Sequence, residues 1–183
     1  MGKTELPRIV YDDAFCMVAT WRSIVMPVMG AGKLPASSAK RQVAALEAHG
    51  KSLGLGKMGE ITLIAASAAL PEADTRAVLD GGVPIVSPYY GCVSAVFEGT
   101  GFKAALVRGI LASFQLMSRT KFPQKVFSNV DDAAKWIYPH ITALGMVANS
   151  AQDIIDTVHT VREIAVKRGI FLPPAEASAS TSA

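Results

Sequence analysis

The run EITLIAAS, Glu60 to Ser67, decides the fold. Its apolar centre is short and continuous, the pattern of a strand buried in the middle of a parallel sheet. On its N-terminal side, Ala36 to Leu53 has high helix propensity and sets Val43, Leu46 and Leu53 on one face, until Gly54, Gly56 and Gly59 stop it. On its C-terminal side, Pro71 suits a helix start, and Glu72 and Asp74 in the first turn favour the positive end of the dipole. That helix is predicted to reach about Leu79. The following DGGVPIVSPYYG, Asp80 to Gly91, is expected to be irregular because of its glycines and prolines, with a broken continuation of the helix as the alternative.

Working further outward, Phe15 to Met29, FCMVATWRSIVMPVM, is two β-rich segments separated by a polar stretch, which predicts an antiparallel hairpin. Pro27 would sit best on an edge or at a bulge. Cys92 to Glu98 is the next strand, and Gly99-Thr100-Gly101 leads into a helix ending near Ser118. Lys125 to Ser128 is a short strand. Ser128 with Asp131 predicts a capped helix that Pro139 should kink or end. Ser150 with Asp153 opens a last helix that Gly169 closes, and residues 170–183 are composed like a disordered tail. Strands alternating with helices predict an α/β fold. The sheet is mainly parallel but mixed, with an N-terminal β-hairpin edge, helices packed on it and an extra C-terminal helix. The domain is expected over residues 8–139 and a helical extension over 140–169.

Half of the 183 residues are apolar, enough for one domain with a large core or for apolar surface left to a partner. The net charge of +3 comes from 18 basic and 15 acidic residues of mixed order, without the basic runs that track a phosphate backbone, so no nucleic-acid partner is expected. Cys16 and Cys92 lie in apolar runs as small buried hydrophobes, which suggests a reducing compartment. No apolar leader follows Lys3, and no stretch reaches the roughly 18 apolar residues of a membrane span. A cytoplasmic location is the expectation.

Groups able to do chemistry are sparse. His49, His140 and His159 fall on three separate predicted helices without ligand spacing, so no metal and no cofactor are expected. His49 near a helix end reads as a favourable charge at the negative dipole end. The loop Met29 to Ser38 lacks the glycine and hydroxyl of a phosphate-binding loop, and Ser94 lacks the setting of a nucleophile elbow. Gly99, Thr100, Gly101 and Lys103 form a candidate anion site, since glycines at a helix start expose backbone N–H groups; a tight strand-to-helix turn needing small residues is the favoured reading of them. Val107, Leu111 and Phe114 fall in or beside the polar arc of their helix and are candidate partner contacts, or are covered by the terminal helix or the kinked one before it. Ile154, Val158 and Val161 form a stripe that must be buried, against the same domain or against a second copy.

The element order, with ITLIAAS, VFEGTGFKAALVRGIL and KVFSNVDDAAKWI, resembles the STAS (anti-sigma-factor-antagonist-like) and SpoIIAA-like domains over about Ile9 to Ile137. The resemblance implies a non-enzymatic, regulatory protein–protein interaction module of the bacterial cytoplasm, binding another protein or a second copy of itself. It also makes Ser67 a candidate for phosphorylation. Around Ser67 the family's preceding aspartate and following leucine-glycine pair are missing, and Glu72 and Asp74 would repel a phosphate. The alternative expectation is a small-molecule domain, for a nucleotide, anion or lipid, using the Gly99 to Lys103 turn or an apolar pocket.

Overall fold

The computed structural model describes residues 5–97, 105, 109, 121–145, 148 and 150–171. Six strands lie side by side in chain order: β1 (Arg8–Asp12), β2 (Cys16–Trp21), β3 (Ile24–Met29), β4 (Met58–Ile64), β5 (Tyr90–Phe97) and β6 (Gln124–Phe127). β1–β2 and β2–β3 pair antiparallel, and β3 to β6 run parallel. Helices α1 (Ala36–Leu53) and α2 (Ala73–Val86) pack on one face; α3 (Val130–Ala143) and α4 (Ala151–Lys167) cover the other. The structure is therefore α/β, as the strand and helix patterns imply.

The antiparallel edge differs in detail from the sequence-based expectation. Residues 15–29 do form a hairpin, turning at Arg22 with φ 54°, but β1 lies outside it. Every residue of β2 is buried, because helices cover both faces and strands flank both edges. Pro27 consequently sits in an interior strand. It lacks the N–H a ladder needs, and the β3–β4 pairing holds at Ile24, Val25, Val28 and Met29 but skips Met26 and Pro27.

Asp13 organises the corner where β1 turns into β2. Its carboxylate accepts from the Phe15 and Cys16 backbone N–H groups at 2.8 and 2.9 Å, from Ser38 Oγ of α1 at 2.6 Å, and from the Tyr11 hydroxyl. Burial alone would raise its pKa, but these four donors outweigh it and hold the carboxyl at about 2.

Helix ends are more local. Asn129, one residue after the expected Ser128, caps α3 by accepting from Asp132 N at 2.8 Å. α3 continues through Pro139 to Ala143, so the expected boundary at 139/140 falls inside a helix. Ser150 caps α4 by accepting from Asp153 N at 3.1 Å, as its sequence predicts. At the far end Gly169 (φ 71°) donates to Val166 O and Ile170 to Ala165 O, a Schellman closure that turns Ile170 inward. Ile170 and Phe171 are core residues, so the segment expected to be a tail from residue 170 is packed at its first two positions. α4 shares that core with α3 and the sheet.

α2 runs past Leu79 through Gly81, Gly82 and Pro84 to Val86, where irregular chain was expected, and a single 3₁₀ turn (Ser87–Tyr89) joins it to β5. Packing outweighs propensity here. A Cβ on Gly82 would stand 2.7 Å from Val43 Cγ2, so glycine lets α1 and α2 approach closely.

β4 and β5 stay in register except at Gly91, an extra residue between the pairs Met58↔Tyr90 and Gly59↔Cys92. A Cβ there would lie 2.1 Å from Leu144 Cδ1 and 2.7 Å from the Gly56 carbonyl oxygen. Gly91→Ala is expected to cost about 1–3 kcal/mol, read as a lower urea midpoint. Adding Leu144→Ala should restore only part, since the Gly56 backbone still obstructs. Asp13→Ala should cost about 1.5–3 kcal/mol at neutral pH. Because the folded carboxyl titrates below its ordinary 3.8, this contribution is present above pH 3.8 and fades as pH falls towards 2. Urea melts of both proteins from pH 7 to pH 2 should therefore converge at the acid end.

Candidate functional site

Alternation along β4 sends Gly59, Ile61 and Leu63 towards α3 and α4, and Glu60, Thr62 and Ile64 towards α1 and α2. A glutamate and a threonine are thereby committed to an interior face. Glu60 is 8 % exposed and Thr62 5 %. Across the ladder the Gly91 bulge shifts the phase of β5, so that Tyr90 and Val93 both lie on the α1/α2 side while Cys92 turns to the other. The Tyr90 hydroxyl donates to Glu60 Oε2, and Thr62 Oγ1 donates to Glu60 Oε1 at 2.5 Å. Ser94 on the next strand donates to the Glu60 backbone oxygen at 3.1 Å.

These groups open into a cavity of about 120 Å³. α1 contributes Gln42, Val43 and Leu46; α2 contributes Leu79, Gly82, Val83 and Val86. Ser87 comes from the 3₁₀ turn, Met29, Ile64 and Val93 from the sheet, and Phe122 and Gln124 from the approach to β6. Phe122 and Tyr90 stack at a tilt with ring centroids 5.3 Å apart. Most of the wall is apolar, yet Gln42 and Ser87 are 3 % and 1 % exposed, and Gln42 Oε1 and Ser87 Oγ have no hydrogen-bond partner among the described residues. Unmet buried polar atoms cost free energy, so their gathering beside Glu60 requires an explanation.

Burial pushes the Glu60 carboxyl above its ordinary range; the Thr62 and Tyr90 donors oppose that shift without cancelling it. Tyr90 is raised in turn, by burial first and then by the adjacent carboxylate. Among the described residues that line the cavity there is no lysine, arginine or histidine.

The residues singled out from sequence fall elsewhere. Ser67 is half-buried in a turn six residues before α2, its carbonyl accepting from Gly32 N at 3.4 Å, so it does not stand at the helix start that a phosphate would favour. Ile154, Val158 and Val161 are 1 %, 0 % and 0 % exposed in the core between α4, α3 and the sheet. That stripe is spent within the chain and offers no contact surface. Gly99, Thr100, Gly101, Lys103, Val107, Leu111 and Phe114 lie outside the described residues. His49 is not a surface charge at a helix end: burial lowers its pKa, only partly offset by a hydrogen bond with the Arg22 backbone. Cys16 and Cys92 are buried free thiols, both pushed up to about 12, chiefly by burial. Among the described residues no three histidines, cysteines or carboxylates gather as metal ligands, and no helix is long and apolar enough to cross a membrane.

The cluster that does gather was carried by a signal in the opening stretch. Glu60 and Thr62 are two residues apart, hence on one face of a strand whose other positions are apolar. Reading EITLIAAS as uniformly apolar passes over it. Tyr90, Gln42 and Ser87 carry no comparable signal, since tertiary contacts alone bring them to Glu60.

No family model matches the chain, and no curated protein or solved structure matches it either.

The raised Glu60 carboxyl has a direct consequence for stability. Below the ordinary glutamate value of 4.5 both folded and unfolded chains carry the proton. Above it the unfolded chain releases the proton first, so folding stability falls with rising pH until the folded carboxyl also ionises. Glu60→Gln removes this dependence. Its stability relative to the wild type should therefore increase between pH 4.5 and 8, as measured by urea denaturation at each pH.

Proposed function

We propose that this chain is a small-molecule binding domain whose site is the cavity between α1, α2 and β3–β6. The observation that carries the proposal is the set of buried polar groups gathered in a largely apolar cavity: Glu60 with its two hydroxyl donors, and the unpartnered Gln42 Oε1 and Ser87 Oγ. Binding sites combine mostly apolar walls with a few convergent polar groups in this way. A ligand supplying the missing partners would recover the cost of burying them. An engineered apolar cavity of about 150 Å³ accommodates benzene, so a cavity of about 120 Å³ suits a ligand of that size or smaller.

An interaction module, the role implied by the STAS resemblance, is the second proposal. It is favoured by Val10 and Phe15, each 40 % exposed on the β1–β2 hairpin at one edge of the sheet. Light scattering of the full chain and of Val10→Ser/Phe15→Ser separates the cases. Self-association lost in the double variant supports the module, whereas an unchanged monomer mass in both removes the second-copy form of it.

Screening a set of fragments of benzene size or smaller by ligand-observed NMR should give hits on the wild type. Val83→Phe, which fills the cavity from α2, should abolish them with its circular dichroism unchanged. Hits that survive Val83→Phe would place binding elsewhere and overturn the assignment of the site.

A further inference from the structure

We infer that the ligand of this cavity is a small organic cation, a primary ammonium on a short apolar body, with its charge paired to the Glu60 carboxylate. The inference rests on the proposal that the cavity is a ligand site, and concerns the chemistry of what enters it.

The polar capacity left in the cavity is mainly of acceptor type. Thr62 and Tyr90 donate their hydroxyl hydrogens to different oxygens of Glu60, so those donors are used while each carboxylate oxygen keeps a free lone pair. Gln42 Oε1 is one more acceptor and Ser87 Oγ a hydroxyl able to accept or donate, both without a partner among the described residues. An alkylammonium carries three N–H donors and no acceptor, which suits the Glu60 carboxylate and such of these acceptors as lie within its reach. A neutral alcohol could use one acceptor but would leave the others unmet.

Charge gives the same answer. Glu60 is buried, and no cationic side chain is among the described residues lining the cavity. An ionised carboxylate in such a place is costly unless a cation accompanies it, and an anionic ligand would add to the cost. A cation supplied by the ligand turns the buried charge into a pair that exists only in the complex. The tilted rings of Tyr90 and Phe122 add π-faces, which attract ammonium groups. The remaining wall, including Leu46, Val83 and Val86, suits a short alkyl or aryl body.

The test compares three probes of one shape, n-butylamine, 1-butanol and butyrate, titrated into the full-length ¹⁵N-labelled protein with amide shifts followed by NMR. Butylamine should shift the amides of Gln42, Glu60 and Ser87 and bind roughly tenfold or more tightly than butanol, with butyrate absent. Its affinity should fall as pH is lowered and Glu60 takes up its proton, since the amine stays charged throughout. Glu60→Gln should lose that advantage and the pH dependence with its circular dichroism unchanged, which separates loss of charge from loss of fold. Equal binding of butanol and butylamine, or an unchanged amine affinity in Glu60→Gln, overturns the inference. Binding of butanol alone overturns the cation while the cavity stands as a site; no shift with any of the three overturns both.

Discussion

Helices close both faces of the central strands, and that constraint governs the rest of the molecule. β2 to β5 have no solvated side, so each residue on them must either pack or find a polar partner inside the protein. Most simply pack: Met17, Ile24, Met26, Ile61 and Leu63 fill the α3/α4 side almost completely. Glu60 cannot. It is held on the other side by Thr62 and Tyr90, and its proton affinity rises because water is excluded there.

The two faces are packed by different helices, and the site lies on one of them. The α3/α4 face includes the Schellman turn that folds Ile170 and Phe171 back under the sheet. On the α1/α2 face the described residues form a cluster around Val18, Val25, Leu46 and Met58, and beside it lies the cavity. Two glycines shape this region. Gly82 lets α2 approach Val43 of α1, and Gly91 supplies the extra residue that shifts the phase of β5 so that Tyr90 faces Glu60. Both positions leave almost no room for a side chain, so cavity and packing are set by the same backbone contacts.

Much of the architecture was legible because it rests on local pattern. The Phe15 to Met29 hairpin, the α1 span, the strand after Met58 and the Ser150 cap each follow from periodicity or from a side chain within three residues. The failures share one cause. β1 is a five-residue strand with alternating exposure, specified mainly by pairing with β2. The helical path of Gly81 to Val86 opposes local propensity and is stabilised by the neighbouring helix. The expected partner stripe on α4 was correctly seen to need burial, but sequence does not say against what.

By itself, the sequence determined that alternating strands and helices would build a mixed α/β sheet. It also determined that EITLIAAS would be an interior strand, since an apolar run of that length can be stable only when covered on both sides. Only the tertiary structure decided that Glu60 would meet Tyr90 from 30 residues away and Gln42 and Ser87 from two other elements. The physical reason is that backbone patterning depends on neighbours along the chain. A buried polar site depends on which distant side chains share one water-excluded space, and that is fixed by sheet register, a single-residue bulge and the closeness of two helices.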